Sequence, residues 1–197
     1  MTRRDLILAV WSRFLTTSLI VLLFTLVANG GTARLASDSL VVEIDEETGG
    51  WVLLDKRSGV QWPSDGMASP GDAAWLREGL KRGKTAADSI RLIGRTGGAV
   101  VFALVDGGGA LELKYEKPGN ETVRVLRDAL AMTGTDGGYA IVPSREGLLV
   151  PAKSDKAFKR VFGTSDYEGC HMNMLGFVKK GSALIATWED AYVFPQL

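Results

Sequence analysis

The stretch that decides the fold is "SLVVEIDEETGGWVLLDKRSGVQWPS", residues 39–64. Its first half alternates in polarity, with apolar Leu40, Val42 and Ile44 at every second position and acidic residues between and after them. Successive side chains of a β-strand point to opposite faces, so this spacing predicts a strand with one buried face.

Two turn signals divide the rest of this stretch. Thr48-Gly49-Gly50 separates the first strand from an apolar run at Trp51–Leu54, and Lys56-Arg57-Ser58-Gly59 separates that run from Val60–Trp62. Glycine-containing breaks between short apolar runs are typical of hairpin connections. The stretch therefore predicts a β-meander of three strands.

The remaining sequence continues the same pattern of short strands and tight turns. It predicts strands at 89–93, 99–105, 110–116, 138–142, 147–150, 174–178 and 183–188, and favours a strand over a helix at 121–132. Between Ser64 and Ala87 the pattern fails, and we expect a surface loop with one short helix at 73–80. About ten strands with so little helix indicate an all-β protein, an antiparallel β-sandwich.

The N-terminus has the parts of a secretory signal peptide. Arg3, Arg4 and Arg13 precede an apolar stretch that runs from Phe14 to about Ala28, and small residues follow it. This order of a basic region, an apolar region and a cleavage site is typical of export signals. A retained membrane anchor is the alternative, but the stretch is short for a span of roughly 20 residues.

We expect cleavage at Ala28-Asn29-Gly30 or at Gly31-Thr32-Ala33. Residues 1–33 are therefore assigned to the signal peptide and residues 37–197 to the sandwich domain. The mature protein is expected to be exported, to the periplasm or the extracellular space, without stable membrane insertion after cleavage.

Composition excludes some partners. The 197 residues contain 23 basic and 23 acidic side chains, and four of the basic ones but only one acidic one precede Ser37. A mature domain with a small acidic excess and scattered Lys and Arg does not predict nucleic-acid binding. With one cysteine, the chain forms no internal disulfide, so a hydrophobic core must stabilise it.

Cys170 and His171, the only cysteine and the only histidine, are adjacent in "DYEGCHMNML", residues 166–175. Neighbours on an extended strand point to opposite faces, which separates a thiol from the base that would activate it. A zinc site needs three or four ligands, and no second Cys or His exists in the chain. We therefore predict no metal, no cofactor and no catalytic role here, with Cys170 packed inward and His171 at the surface.

Other candidates lie close to this pair in the sequence. Glu189 and Asp190 are adjacent carboxylates, a pattern that general acid–base catalysis shares with ordinary solvated turns. A carbohydrate-binding surface or a domain interface is the stronger hypothesis, because aromatic rings stack on sugars and carboxylates accept hydrogen bonds from hydroxyls. Its candidate residues are Tyr167, Glu168, His171, Trp188, Asp190 and Tyr192. Core packing is the alternative for Trp188.

Three segments carry a resemblance to a known family. They are "LVVEIDEETGGWVLLDKRSGVQW" at 40–62, "YAIVPSREGLLVP" at 139–151, and "RVFGTSDYEGCHMNMLGFVKKGSALIATWEDAYV" at 160–193. They resemble parts of the N-terminal β-sandwich domain of exported glycoside hydrolases, of the galactose-mutarotase-like or super-sandwich kind, in endo-α-N-acetylgalactosaminidase-like enzymes. The resemblance implies a super-sandwich-like fold and an accessory domain that shapes the substrate site.

The resemblance also implies a catalytic (β/α)8 barrel, which carries the two catalytic carboxylates in such enzymes. No alternating strand and helix pattern follows Trp188 in this sequence. We expect either a truncated piece of a longer enzyme, with an incomplete sandwich at its C-terminus, or a stand-alone sandwich domain. The expected partner is a carbohydrate or a downstream catalytic domain, and this chain alone is expected to be inactive. A non-enzymatic exported surface or carbohydrate-binding protein is the alternative.

Overall fold

In the computed structural model, the described residues form three antiparallel sheets of four strands each. The described residues are 31–64, 79–117, 119, 132, 134–153 and 169–189. Helical structure within them is limited to one 3-10 turn at Asp106–Gly108. The protein is thus all-β and sandwich-like, which confirms the predicted fold class.

The first sheet is the predicted meander with one additional strand. Its strands are β1 (Thr32–Ala36), β2 (Leu40–Asp45), β3 (Trp51–Asp55) and β4 (Gln61–Ser64), in that order across the sheet. Leu35, Val42, Leu53 and Trp62 lie side by side in the register and all four are buried. The alternating side chains of the sequence therefore form one continuous apolar face.

The two turns of the meander have the same construction. Asp45 and Asp55 each accept a hydrogen bond at Oδ1 from the N–H two residues later, at 2.9 and 3.0 Å. Four residues after each aspartate a glycine has positive φ, +70° at Gly49 and +72° at Gly59, and donates its N–H to the aspartate carbonyl. A positive φ favours glycine, so these local bonds explain why both hairpins turn where they do.

The second sheet covers the core from another side. Its strands are β5 (Leu80–Arg82), β6 (Ser89–Gly94), β7 (Ala99–Val105) and β8 (Ala110–Glu116), again in sequence order. Leu92, Val100 and Phe102 are completely buried on its inner face. The outer face carries charge, including an ion pair between Arg91 and Glu116 at 2.5 Å.

The third sheet has the order β10-β9-β11-β12. Its strands are β9 (Tyr139–Val142), β10 (Leu148–Pro151), β11 (Met174–Lys179) and β12 (Ser182–Thr187). Val150, Ala140, Phe177 and Leu184 form a row across the inner face that packs on the core. β11 pairs with β9 as well as β12, so β10 and β12 are the edge strands.

The three sheets share one hydrophobic core, to which Trp62, Phe102 and Val142 each contribute a fully buried side chain. Polar contacts join the first two sheets at their margins. The hydroxyls of Ser37 and Ser39 both donate to the carbonyl of Gly108, at 2.6 and 2.9 Å. These bonds satisfy a carbonyl in the β7–β8 turn that no strand partner reaches.

Two strands were not predicted. β1 precedes Ser37, the expected first residue of the sandwich, yet pairs with β2 and buries Ala33 and Leu35. β5 lies in the segment predicted as a loop, and Leu80, the last residue of the expected helix, begins it. Residues 73–78 of that helix, and residues 121–131 of the strand predicted at 121–132, lie outside the described residues.

Candidate functional site

The predicted binding surface is only partly described. Tyr167, Glu168, Asp190 and Tyr192 lie outside the described residues, so the structure places none of them. His171 and Trp188 are described, and they lie before β11 and after β12, the two strands of the last hairpin. A backbone hydrogen bond from Trp188 N–H to the Asn173 carbonyl, at 3.2 Å, brings these two ends of the hairpin together.

Cys170 and His171 occupy different environments. The Cys170 side chain is buried in the core, whereas His171 is exposed and its backbone N–H donates to the Pro143 carbonyl at 2.8 Å. Burial raises the pKa of the Cys170 thiol, because a thiolate would lose its hydration. The thiol is therefore protonated at neutral pH and poorly suited to nucleophilic attack. The predicted orientations of both side chains are confirmed.

Trp188 is half-buried and packs against the core. Its indole Nε1 is buried and has no hydrogen-bond partner within the described part of the chain. Core packing, the alternative weighed for this residue, therefore accounts for much of its surface. Glu189, the described member of the predicted carboxylate pair, is exposed next to it.

A buried polar junction between the first and third sheets was missed by the sequence analysis. Lys179 is buried, and its Nζ lies 4.5 Å from the centre of the Trp62 ring, within the range of a cation–π interaction. Nearby, the Ser182 hydroxyl donates to Asp55 Oδ2 at 3.2 Å. The end of the β11–β12 hairpin is thus fastened to the end of β3 and to β4.

Burial lowers the pKa of the Lys179 ammonium, and the positive charge of Lys180 lowers it further, while Asp136 acts in the opposite direction. Asp55 has a lowered pKa, chiefly because the Ser58 hydroxyl donates to its carboxylate at 2.7 Å. The Lys179 amine is covered by an aromatic ring, so its contribution is packing between sheets rather than chemistry at a surface.

The strands predicted at 174–178 and 183–188 put Lys179 in the turn between them, "KKGS" at residues 179–182. In the structure only Lys180 and Gly181 form the turn, both with positive φ, as in a two-residue hairpin loop. Leu175 and Phe177 are inward-facing, and Lys179 follows at the same two-residue spacing. That spacing is the signal from which its inward orientation could have been predicted.

Within the described residues, no three side chains of His, Cys, Asp or Glu cluster in a way that could hold a metal ion. The same part of the chain contains no helix with the length and apolar character needed to cross a membrane. Comparison with protein-family models and with curated proteins finds no match for this chain.

Proposed function

We propose that this chain is an accessory, substrate-shaping β-sandwich domain of an exported carbohydrate-active enzyme of the glycoside hydrolase type. The observation that carries the proposal is that three of its potentially reactive side chains pack into the sandwich. Cys170 is buried and protonated, Lys179 is covered by Trp62, and Trp188 packs on the core. These three side chains thus stabilise the sandwich, as expected of a domain that supports a catalytic site located elsewhere.

The proposed contact region is the end of the third sheet where the backbone links Trp188 to Asn173. His171 is exposed there, and Glu189 is exposed beside Trp188. An exposed imidazole and an exposed carboxylate at this end of the sheet offer a donor and acceptors for sugar hydroxyls. The same groups could instead contact a catalytic domain, and both partners remain part of the proposal.

A second candidate is a non-enzymatic exported surface or carbohydrate-binding protein. The outer face of the third sheet favours the surface protein within this candidate, because Leu149 and Ile185 are large, apolar and exposed there. Exposed apolar side chains that lie together on a surface mark interaction sites more often than scattered ones do. The coding sequence downstream of the Leu197 codon distinguishes the two candidates, since the enzyme requires a barrel domain.

Hydrolysis and binding assays test the proposal. The purified chain should release no sugar from a panel of α- and β-linked glycosides, because an accessory domain leaves the two catalytic carboxylates, about 5–10 Å apart, to the barrel of its enzyme. Retardation in polysaccharide-containing gels should be weakened by His171→Ala and unchanged by Arg91→Ala, a surface change on the second sheet.

Turnover by this chain alone that is lost in Glu189→Gln or Asp190→Asn would contradict the accessory role. Gel retardation that His171→Ala leaves unchanged would instead move the sugar contact away from this end of the sheet. The first result bears on the chemistry and the second only on the position of the binding surface.

A further inference from the structure

The outer face of the third sheet contains a row of apolar residues across all four strands. Leu149, Ile141, Gly176 and Ile185 are successive partners in the register from β10 to β12. Leu149 is 62% exposed, Ile141 38% and Ile185 65%. Tyr139, two residues before Ile141 on the same face of β9, is also exposed. We call this surface the outer face of the third sheet.

This face differs in charge from the corresponding face of the second sheet. None of the outward-facing residues of β9, β10, β11 and β12 is charged. The outer face of the second sheet carries Arg91, Glu112, Lys114 and Glu116 on strands of similar length. A face made for contact with water needs such groups, so the third sheet has the composition of a face that is covered.

The middle of the row is closely packed. A Cβ atom placed on Gly176 would lie 3.2 Å from both Cβ and Cδ1 of Ile141. Ile141 therefore leans over the glycine of the neighbouring strand and closes the gap that the missing side chain would leave. The result is an even apolar surface, bordered by Leu149 on one edge strand and Ile185 on the other, that suits packing against another sheet.

We propose that this face is where two copies of the chain pack sheet against sheet in a reversible two-fold dimer. A two-fold contact places the same patch on both partners, and an uncharged patch meets itself without like-charge repulsion. Nucleic acid would require cations on this face, and a sugar would require several hydrogen-bonding groups. The face offers only the Tyr139 and Thr187 hydroxyls on its outward positions.

The area of the face sets the strength of the dimer. Four strands about 4.8 Å apart and four to six residues long cover roughly 300 Å² of sheet. A stable complex of standard size buries about 800 Å² on each partner. The dimer is therefore expected to be weak and to form only as the protein concentration rises. This inference does not depend on the proposed carbohydrate function.

Sedimentation equilibrium over micromolar to millimolar concentrations tests the dimer, with the protein purified as its native host processes it. The average mass of the wild type should rise towards twice that of the monomer. Ile185→Glu and Leu149→Glu should each weaken association by at least about tenfold, because each buries two carboxylates, one from each copy, in an apolar contact. Both side chains are largely exposed, so both variants should keep the unfolding temperature of the wild type.

Ile93→Glu is the matched control. Ile93 is 38% exposed on the outer face of the second sheet, where Lys81 is its register partner. This variant should associate like the wild type. A wild type that stays monomeric throughout overturns the proposal, as does an Ile185→Glu variant that still dimerises. Binding of neutral lipid vesicles or a soluble polysaccharide by a monomeric wild type, lost in Ile185→Glu, would assign the face to that partner instead.

Discussion

Leu35→Ala should destabilise the domain by about 2–5 kcal/mol, although Leu35 lies before the residue at which the sandwich was expected to begin. Its side chain is buried opposite Val42 and belongs to the shared core. Removing it leaves a cavity that the neighbouring strands fill only in part. Arg34→Ala is the control, since Arg34 is exposed on the same strand and should change stability by no more than about 0.5 kcal/mol.

Urea denaturation measures both variants, and tryptophan fluorescence reports directly on this sheet through the buried Trp51 and Trp62. The dependence of the unfolding free energy on urea concentration should stay unchanged in Leu35→Ala, so the loss of stability should appear only as a lower urea midpoint. A variant that begins at Ser37 should lose at least as much stability as Leu35→Ala, because it also lacks the backbone pairing of β1 with β2. Equal stability of chains that begin at Gly31 and at Ser37 would refute the assignment of β1 to the domain.

The position of β1 also bears on the cleavage site of the signal peptide. Cleavage after Ala33 would remove the first two residues of β1, whereas cleavage after Gly30 would leave the strand whole. We therefore expect the mature protein to begin at Gly31. N-terminal sequencing of the protein from its native host decides the point, and a mature chain that begins at Arg34 would mean that the sandwich functions without a complete β1.

Lys179, Cys170 and Gly138 are buried, and each can be tested by substitution. The folded state lowers the pKa of Lys179, so between that pKa and the ordinary value of about 10.4 the unfolded chain binds one proton more than the folded chain. The free energy of unfolding should therefore rise with pH in this window, and Lys179→Met should remove that part of the rise. Equal slopes of unfolding free energy against pH in the wild type and the variant would exclude the effect. Cys170→Ser should cost roughly 1–3 kcal/mol by urea denaturation, since it buries a hydroxyl in place of a thiol, while His171→Ala should leave stability nearly unchanged. Gly138→Ala should cost about 1–3 kcal/mol because its Cβ would overlap the Val178 carbonyl oxygen on β11. Gly119→Ala is its control, since its Cβ would meet nothing within 4 Å, and similar thermal unfolding of the two variants would contradict the close approach.

The parts of the fold that could be predicted are those with local causes. The turns after Asp45 and Asp55 depend on an aspartate, a hydroxyl residue and a glycine within five positions, so their signal is contained in the sequence itself. Long strands such as β7 and β8 also have enough residues for alternation or sustained apolarity to be recognised. In both cases the information lies within one element and its turn.

The strands that were missed depend on partners elsewhere in the chain. β5 has only three residues, and pairing with β6 makes it a strand. β1 has a clear alternation, but it directly follows the apolar stretch of the signal peptide, and its small residues also fit a cleavage site. Lys179 was missed because "KKGS" is typical of a turn, and the Trp62 ring that covers its ammonium comes from a strand far away in the sequence.

The third sheet gives the clearest link between sequence and proposed function. Its strands "YAIV", "LLVP", "MLGFV" and "SALIAT" are apolar at consecutive positions, a pattern typical of strands covered on both faces. The shared core covers the inner face, while Ile141, Leu149 and Ile185 remain exposed on the other. No other described part of the chain covers this second face, and a second copy is the cover that we propose. A second copy would use the face and leave the His171 end of the sheet free for a carbohydrate, whereas a catalytic domain packed on the face would compete with the dimer. The double variant Leu149→Glu with Ile185→Glu separates these cases, because it should abolish the dimer in both but impair the parent enzyme only in the second.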